Sequence, residues 1–144
     1  MAQREFDFSS DLVSKAETVV KHLERNRKGT EMLLTSAQLR KVLSNIVAIK
    51  NKLGVFQSVE REFTKLPEEI AFDIRFLKTS LLYQAGRIEV NRRYPMKDFL
   101  EDSELVIIID SIGNHIERFE YLCKYVEAIV AFYKYHSVAL KSKS

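Results

Sequence analysis

The chain has 144 residues, 46% of them hydrophobic and 30% charged, which excludes a disordered or low-complexity polymer and describes one domain with room for a core. Four glycines, two prolines and one cysteine argue against a turn-rich sheet protein and exclude an intrachain disulfide and a cysteine-based zinc cluster. The net charge of +3 is small but unevenly spread.

The N-terminal MAQREFDFSSDL has no apolar signal core. The apolar run LVIII at 105–109 is far too short to span a bilayer. A cytoplasmic chain without a membrane partner is expected, with residues 1–8 as a flexible tail.

The first helix is expected over about 9–26, with Ser9 or Ser10 as N-cap. Leu12, Val13, Ala16, Val19, Val20 and Leu23 follow the helical period. RNRKGT (25–30) ends it, with Gly29 as the turn residue. In the second helix Thr35 and Gln38 form a T-x-x-Q capping box. Leu39, Val42, Leu43, Ile46, Ile49 and Leu53 make one stripe, and Gly54 reads as a C-terminal stop. Lys41, Asn45, Ala48 and Lys52 line the opposite face, whereas Lys50 falls inside the apolar arc. A lysine there either snorkels out of a packed interface or meets an anion.

The third helix starts near Pro67, with Glu68 and Glu69 favouring the positive end of its dipole. Ile70, Ile74, Leu77, Leu81 and Ala85 make one apolar stripe; Phe72, Phe76 and Tyr83 make a second on the other side. A helix apolar on two sides is central or lies at an interface. Arg75 and Lys78 fall between the stripes, and Gly86, costly in a helix, reads as an opening for a close neighbour beside Arg87. Pro95 then biases Tyr94 away from helix. Leu100, Leu105, Val106, Ile109, Ile112 and Ile116 continue at helical intervals, so the β-branched VIII at 106–109 is expected in a buried helix ending near Gly113 and Asn114. The last helix is expected over about 115–136, with opposite charges at i, i+4 for Glu120 and Lys124 on its charged face. Phe119, Leu122, Cys123, Val126, Ile129, Val130 and Tyr133 form its core face, and Tyr121, Tyr125, Ala128 and Phe132 a third strip read as core or subunit interface. Residues 138–144 are expected as a second tail. The sum is an all-α, single-domain bundle of about five helices.

Catalysis needs convergent groups, and the sequence offers none. No phosphate-cradling glycine loop, H-E-x-x-H or G-x-S-x-G occurs. His22, His115 and His136 sit in separate segments, Cys123 lies on a core face, and neighbouring carboxylates such as Glu68 and Glu69 do not face each other on a helix. No enzyme, no metal and no other cofactor is expected.

Binding remains. From Met32 to Val59 there are four bases and no acid; from Arg75 to Arg93 there are five bases and one acid, Glu89. Local basic faces suit polyanions, nucleic acid first, against the plainer reading of solvated helix faces. Gln38, Arg40, Lys41, Asn45, Lys50 and Lys52 on the second helix, and Arg75, Lys78, Gln84 and Arg87 on the third, are side chains of the types that contact phosphate and sugar. No base-reading module is visible, so contact would be to backbone and shape. One small patch binds weakly, and useful affinity needs several copies in a row or a partner that presents the nucleic acid.

Three segments together, LTSAQLRKVLSNIVAIKNKL (34–53), FLKTSLLYQAGR (76–87) and FEYLCKYVEAIVAFYKYH (119–136), resemble the helical small subunit of the type III-A CRISPR effector, the Csm complex. The likeness spans about residues 30–137. The family often has T-T-S-Q-I-R where this chain has Thr35-Ser36-Ala37-Gln38-Leu39-Arg40, and Tyr-His where it has Phe132-Tyr133; neither departure removes a cation. The resemblance implies a non-catalytic bundle whose copies stack head to tail beside other CRISPR effector subunits and contact the duplex of crRNA and target RNA. Arg40, Lys41, Lys50, Lys52 and Arg87 are the RNA-binding residues it implies; Arg75 and Lys78 join them from the helix wheel. The rival expectation is a helical adaptor that binds only proteins, through the aromatic strip of the last helix.

Overall fold

A computed structural model describes residues 4–59 and 64–142. Among them run six helices: α1 (Leu12–Lys21), α2 (Ser36–Val59), α3 (Glu68–Arg87), α4 (Pro95–Ser103), α5 (Leu105–Ile112) and α6 (Ile116–Ser142). The class is all-α, as the periodicity predicts. Helix α6 is the hub, packed by α1, α2 and α5, while α3 lies on α2, α4 and α5. One core runs through the molecule and includes Val42, Ile46, Ile70, Ile74, Phe99, Ile108, Phe119 and Val126.

The extra helix comes from a break at Glu104. Its backbone is left-handed, with φ 61°, and it separates α4 from α5 within what the spacing reads as one continuous pattern. The break is held from several sides. Glu104 Oε1 takes Lys15 Nζ at 2.5 Å, and Oε2 sits 2.7 Å from Arg4 Nη2 as an ion pair without hydrogen-bond geometry. The Tyr125 hydroxyl donates to the Ser103 carbonyl at 2.9 Å, in the core. Hydrophobic spacing passes through such a break because the residues on both sides still face inward.

Other boundaries move for identifiable reasons. Asp11, not Ser9 or Ser10, caps α1, accepting from the Val13 and Ser14 amides at 3.0 and 3.3 Å. Ser9 instead serves a turn on Asp7, donating from amide and hydroxyl. Helix α1 ends at Lys21, and the turn that follows uses Gly29 at φ 70° as predicted. The capping box of α2 is present: Thr35 N donates to Gln38 Oε1 at 2.8 Å and Gln38 N to Thr35 Oγ1 at 3.2 Å. Gly54 does not stop α2, which continues to Val59. Phe56, beyond the glycine, packs against the core, and packing outweighs a propensity penalty of about 1 kcal/mol. Pro67 precedes α3 as expected.

The expected tails carry structure where described. Phe6 is buried, its amide donating to Ser111 Oγ at 2.9 Å, and its ring packs edge-on against Phe8 and Tyr121. Helix α6 extends to Ser142 rather than ending near 136. Residues 1–3 and 143–144, the remainder of those tails, lie outside the described residues.

Candidate nucleic-acid interface

The seven bases singled out in the sequence divide by what they touch. Arg40 and Lys41 are adjacent and exposed near the start of α2, and neither has an ion-pair partner among the described residues. Lys50 is exposed on the edge of α2 that faces α6, where it lines a cavity with Cys123 and Lys124. It too has no ion pair among the described residues. Arg87 closes α3, its guanidinium 5.9 Å from the ring centroid of Tyr83.

The other three are engaged. Lys52 bridges α2 to α3, with Nζ 2.7 Å from Glu69 Oε1 and 3.0 Å from Asp73 Oδ2. Hydrogen bonds to Glu69 and then Asp73 raise its pKa, so its charge is held but shared. Lys78 meets both carboxylate oxygens of Asp110 on α5 at 3.0 Å. Arg75 pairs with Glu68 at 3.2 Å and lies 6.0 Å from the Phe72 ring centroid. The seven therefore occupy several edges: Arg40 and Lys41 on α2, Lys50 toward α6, Lys52 between α2 and α3, Arg75 and Lys78 toward α5, and Arg87 at the end of α3. A helix wheel places bases on faces but says nothing of acids brought over by another helix, and Asp110 arrives from 32 residues away.

The second apolar stripe of α3 is uncovered. Phe72 is 55% exposed, Phe76 56% and Tyr83 66%, with Leu82 beside them. The Phe72 and Phe76 rings stack at 6.1 Å. Helix α3 is thus not central; it buries one stripe and presents the other. Alongside, a groove of about 330 Å³ between α2 and α3 is lined by Ala48, Ile49, Phe72, Phe76 and Leu77. A Cβ added to Gly86 would meet nothing within 4 Å, so no described part of the chain fills the opening expected there.

The strip on α6 read as core or interface is core: Tyr121 and Tyr125 are buried and Phe132 half-buried. Cys123 is buried, and burial pushes its thiol up to about 11, with the positive charge of Lys50 opposing. Glu120 and Lys124, expected as an i, i+4 pair, form no ion pair. Among the described residues no cluster of three or more His, Cys, Asp or Glu could hold a metal ion, and no helix is long and apolar enough to cross a membrane.

Comparison with known proteins places this arrangement. A family model described as Csm2 Type III-A matches residues 7–139. The CRISPR system Cms protein Csm2 of Streptococcus thermophilus is 32% identical over 124 residues, covering 86% of this chain and 89% of that protein. The protein of the same description from Mycobacterium tuberculosis is 27% identical over 125 residues, covering 87% and 90%. That from Enterococcus italicus is 28% identical over 120 residues, covering 81% and 80%.

Proposed function

The chain belongs to the Csm2 type III-A family, the small subunit of the type III-A CRISPR effector, and from that premise we propose that it is a non-catalytic subunit that binds RNA through its basic helix faces. The observation that carries the RNA reading is the condition of Arg40 and Lys41. Both are exposed, adjacent and without an ion pair among the described residues, which leaves their full charge for phosphate. Lys50 and Arg87 add two further cations, and Lys52, Arg75 and Lys78 contribute less because carboxylates already hold them. Contact is to the backbone of the crRNA–target RNA duplex and not to base edges. Copies stacked head to tail along that duplex, in the cytoplasm, multiply a weak patch into useful affinity.

Binding of the purified chain to a labelled crRNA–target RNA duplex tests this. Affinity falls steeply between about 50 mM and 200 mM salt, and the double reversal R40E/K41E abolishes it. Binding that ignores salt, or survives the double reversal, overturns the electrostatic reading.

A second reading, a subunit that makes protein contacts only, is favoured by the exposed Phe72, Phe76, Leu82 and Tyr83. It predicts incorporation into the effector that depends on those rings and ignores R40E/K41E.

A further inference from the structure

The groove between α2 and α6 encloses about 480 Å³, within the ordinary range of small-ligand sites. Its floor is apolar and buried: Leu53, Phe119 and Cys123. Its rim is polar and comes from both helices, with Lys50, Asn51 and Gln57 on α2 facing Lys124 on α6. One acid, Glu120, shares the rim. It forms no ion pair with either lysine.

Lys50 is the informative member. It sits within the apolar arc of α2, where a lysine is expected to reach an acid on the facing helix or turn out to water. Helix α6 offers Glu120 and Glu127; Lys50 forms an ion pair with neither and is exposed to water at the cavity rim. Its charge reaches the Cys123 thiol on the cavity floor, where Glu120 and Glu127 act in the opposite sense. Two exposed lysines lining one cavity with an apolar floor suit a dianionic group attached to a flat or compact body. Two side-chain amides beside it can each offer both a donor and an acceptor to a polar ring edge.

We propose that this groove binds a single nucleoside monophosphate, free or as the phosphorylated end of an RNA strand. The phosphate lies between Lys50 and Lys124, the base edge meets Asn51 and Gln57, and the apolar surface of the sugar and base covers Leu53, Phe119 and Cys123. The site goes beyond duplex binding: it takes one nucleotide rather than a double-helical backbone, and of the bases proposed for the duplex only Lys50 belongs to it.

The test is titration of the isotope-labelled chain with uridine 5′-monophosphate, uridine and inorganic phosphate, followed by NMR. With the nucleotide, saturable shifts are expected at Lys50, Asn51, Gln57, Cys123 and Lys124. Uridine and phosphate alone are expected to bind at least about tenfold more weakly, since each makes only part of the contacts. The variant K50Q/K124Q weakens the nucleotide at least about tenfold at an unchanged melting temperature, both sites being on the surface. R40E/K41E leaves nucleotide binding intact even where duplex binding is lost. A strand carrying a 5′-phosphate and one lacking it distinguish an RNA end from a free nucleotide: shifts that depend on the phosphate assign the strand end, and shifts from the monophosphate alone assign the free ligand. Absence of saturable shifts at these residues, a nucleotide affinity unmoved in K50Q/K124Q, or phosphate binding as tightly as the nucleotide overturns the proposal.

Discussion

Lys52 on α2 reaches Asp73 on α3 with Nζ 3.0 Å from Oδ2, and the same ammonium lies 2.7 Å from Glu69 Oε1. The pair spans 21 residues and joins two helices, so a base that looks free on a helix wheel is already engaged in the fold. Engaged does not mean strongly bound, because an exposed pair in water is screened and contributes little to stability. What it changes is the charge presented to a polyanion.

That sharing predicts an inverted result. K41Q lowers the salt slope of duplex binding by about one unit, as loss of one phosphate contact does. K52Q lowers it by less. The variant E69Q/D73N, which removes both acids and keeps the lysine, frees Lys52 and steepens the slope by about one unit. Affinity measured against salt for the three variants checks the order; a K52Q effect equal to that of K41Q would mean the carboxylates release Lys52 whenever RNA is present.

The exposed strip on α3 makes a different prediction. Phe72 and Phe76 stack on each other and are each a little more than half exposed. F72S/F76S therefore costs the isolated chain only about 1 kcal/mol for each substitution, the transfer energy of a half-covered ring. It should still remove the chain from the assembled effector, because exposed aromatic rings of this kind anchor protein interfaces. Urea melts of the isolated variant and its recovery with co-expressed effector subunits read the two effects separately.

Two tyrosine hydroxyls hold the core to the backbone of distant segments. Tyr125 donates to the Ser103 carbonyl at 2.9 Å, beside the break between α4 and α5, and Tyr133 donates to the Leu34 carbonyl at 2.6 Å, just ahead of α2. Tyr125→Phe and Tyr133→Phe each leave a buried carbonyl without that donor. A loss of about 1–3 kcal/mol is expected for each, read by chemical denaturation. The sites touch different segments, so the double variant should be close to the sum of the two.

These relationships show which features the sequence makes legible. Helix period, the Thr35–Gln38 box and the Pro67 start are local, and each is where local spacing puts it. The break at Glu104 is not local: Arg4, Lys15 and Tyr125 come from elsewhere in the chain to surround it. Gly54 misleads in the opposite sense, because a helix-ending residue is overridden by Phe56 packing beyond it. For the candidate site, the sequence identifies which residues carry charge but not which acids the fold brings beside them. Lys50 is marked by its place in the apolar arc, whereas Lys124 reads as the i, i+4 partner of Glu120, a pair that the structure does not form.

The pH response follows from Cys123 and Tyr125. Burial pushes the Cys123 thiol up to about 11 from an ordinary 9.0, and burial raises the Tyr125 hydroxyl as well. Below pH 9 the thiol is protonated in both folded and unfolded chains and stability does not depend on it. Above that, the unfolded chain loses the proton while the folded chain keeps it, so the folded state binds more protons and stability falls as pH rises. For Cys123 the loss runs from about pH 9 to about pH 11, and Tyr125 extends it further upward. Melting temperature measured from pH 7 to pH 11 should hold steady and then drop, and C123A should flatten the first part of the drop. The same burial makes the thiol slow to alkylate at pH 8 in the folded chain and fast in urea. Rapid alkylation of the folded chain at that pH would show that Lys50 outweighs burial at the thiol.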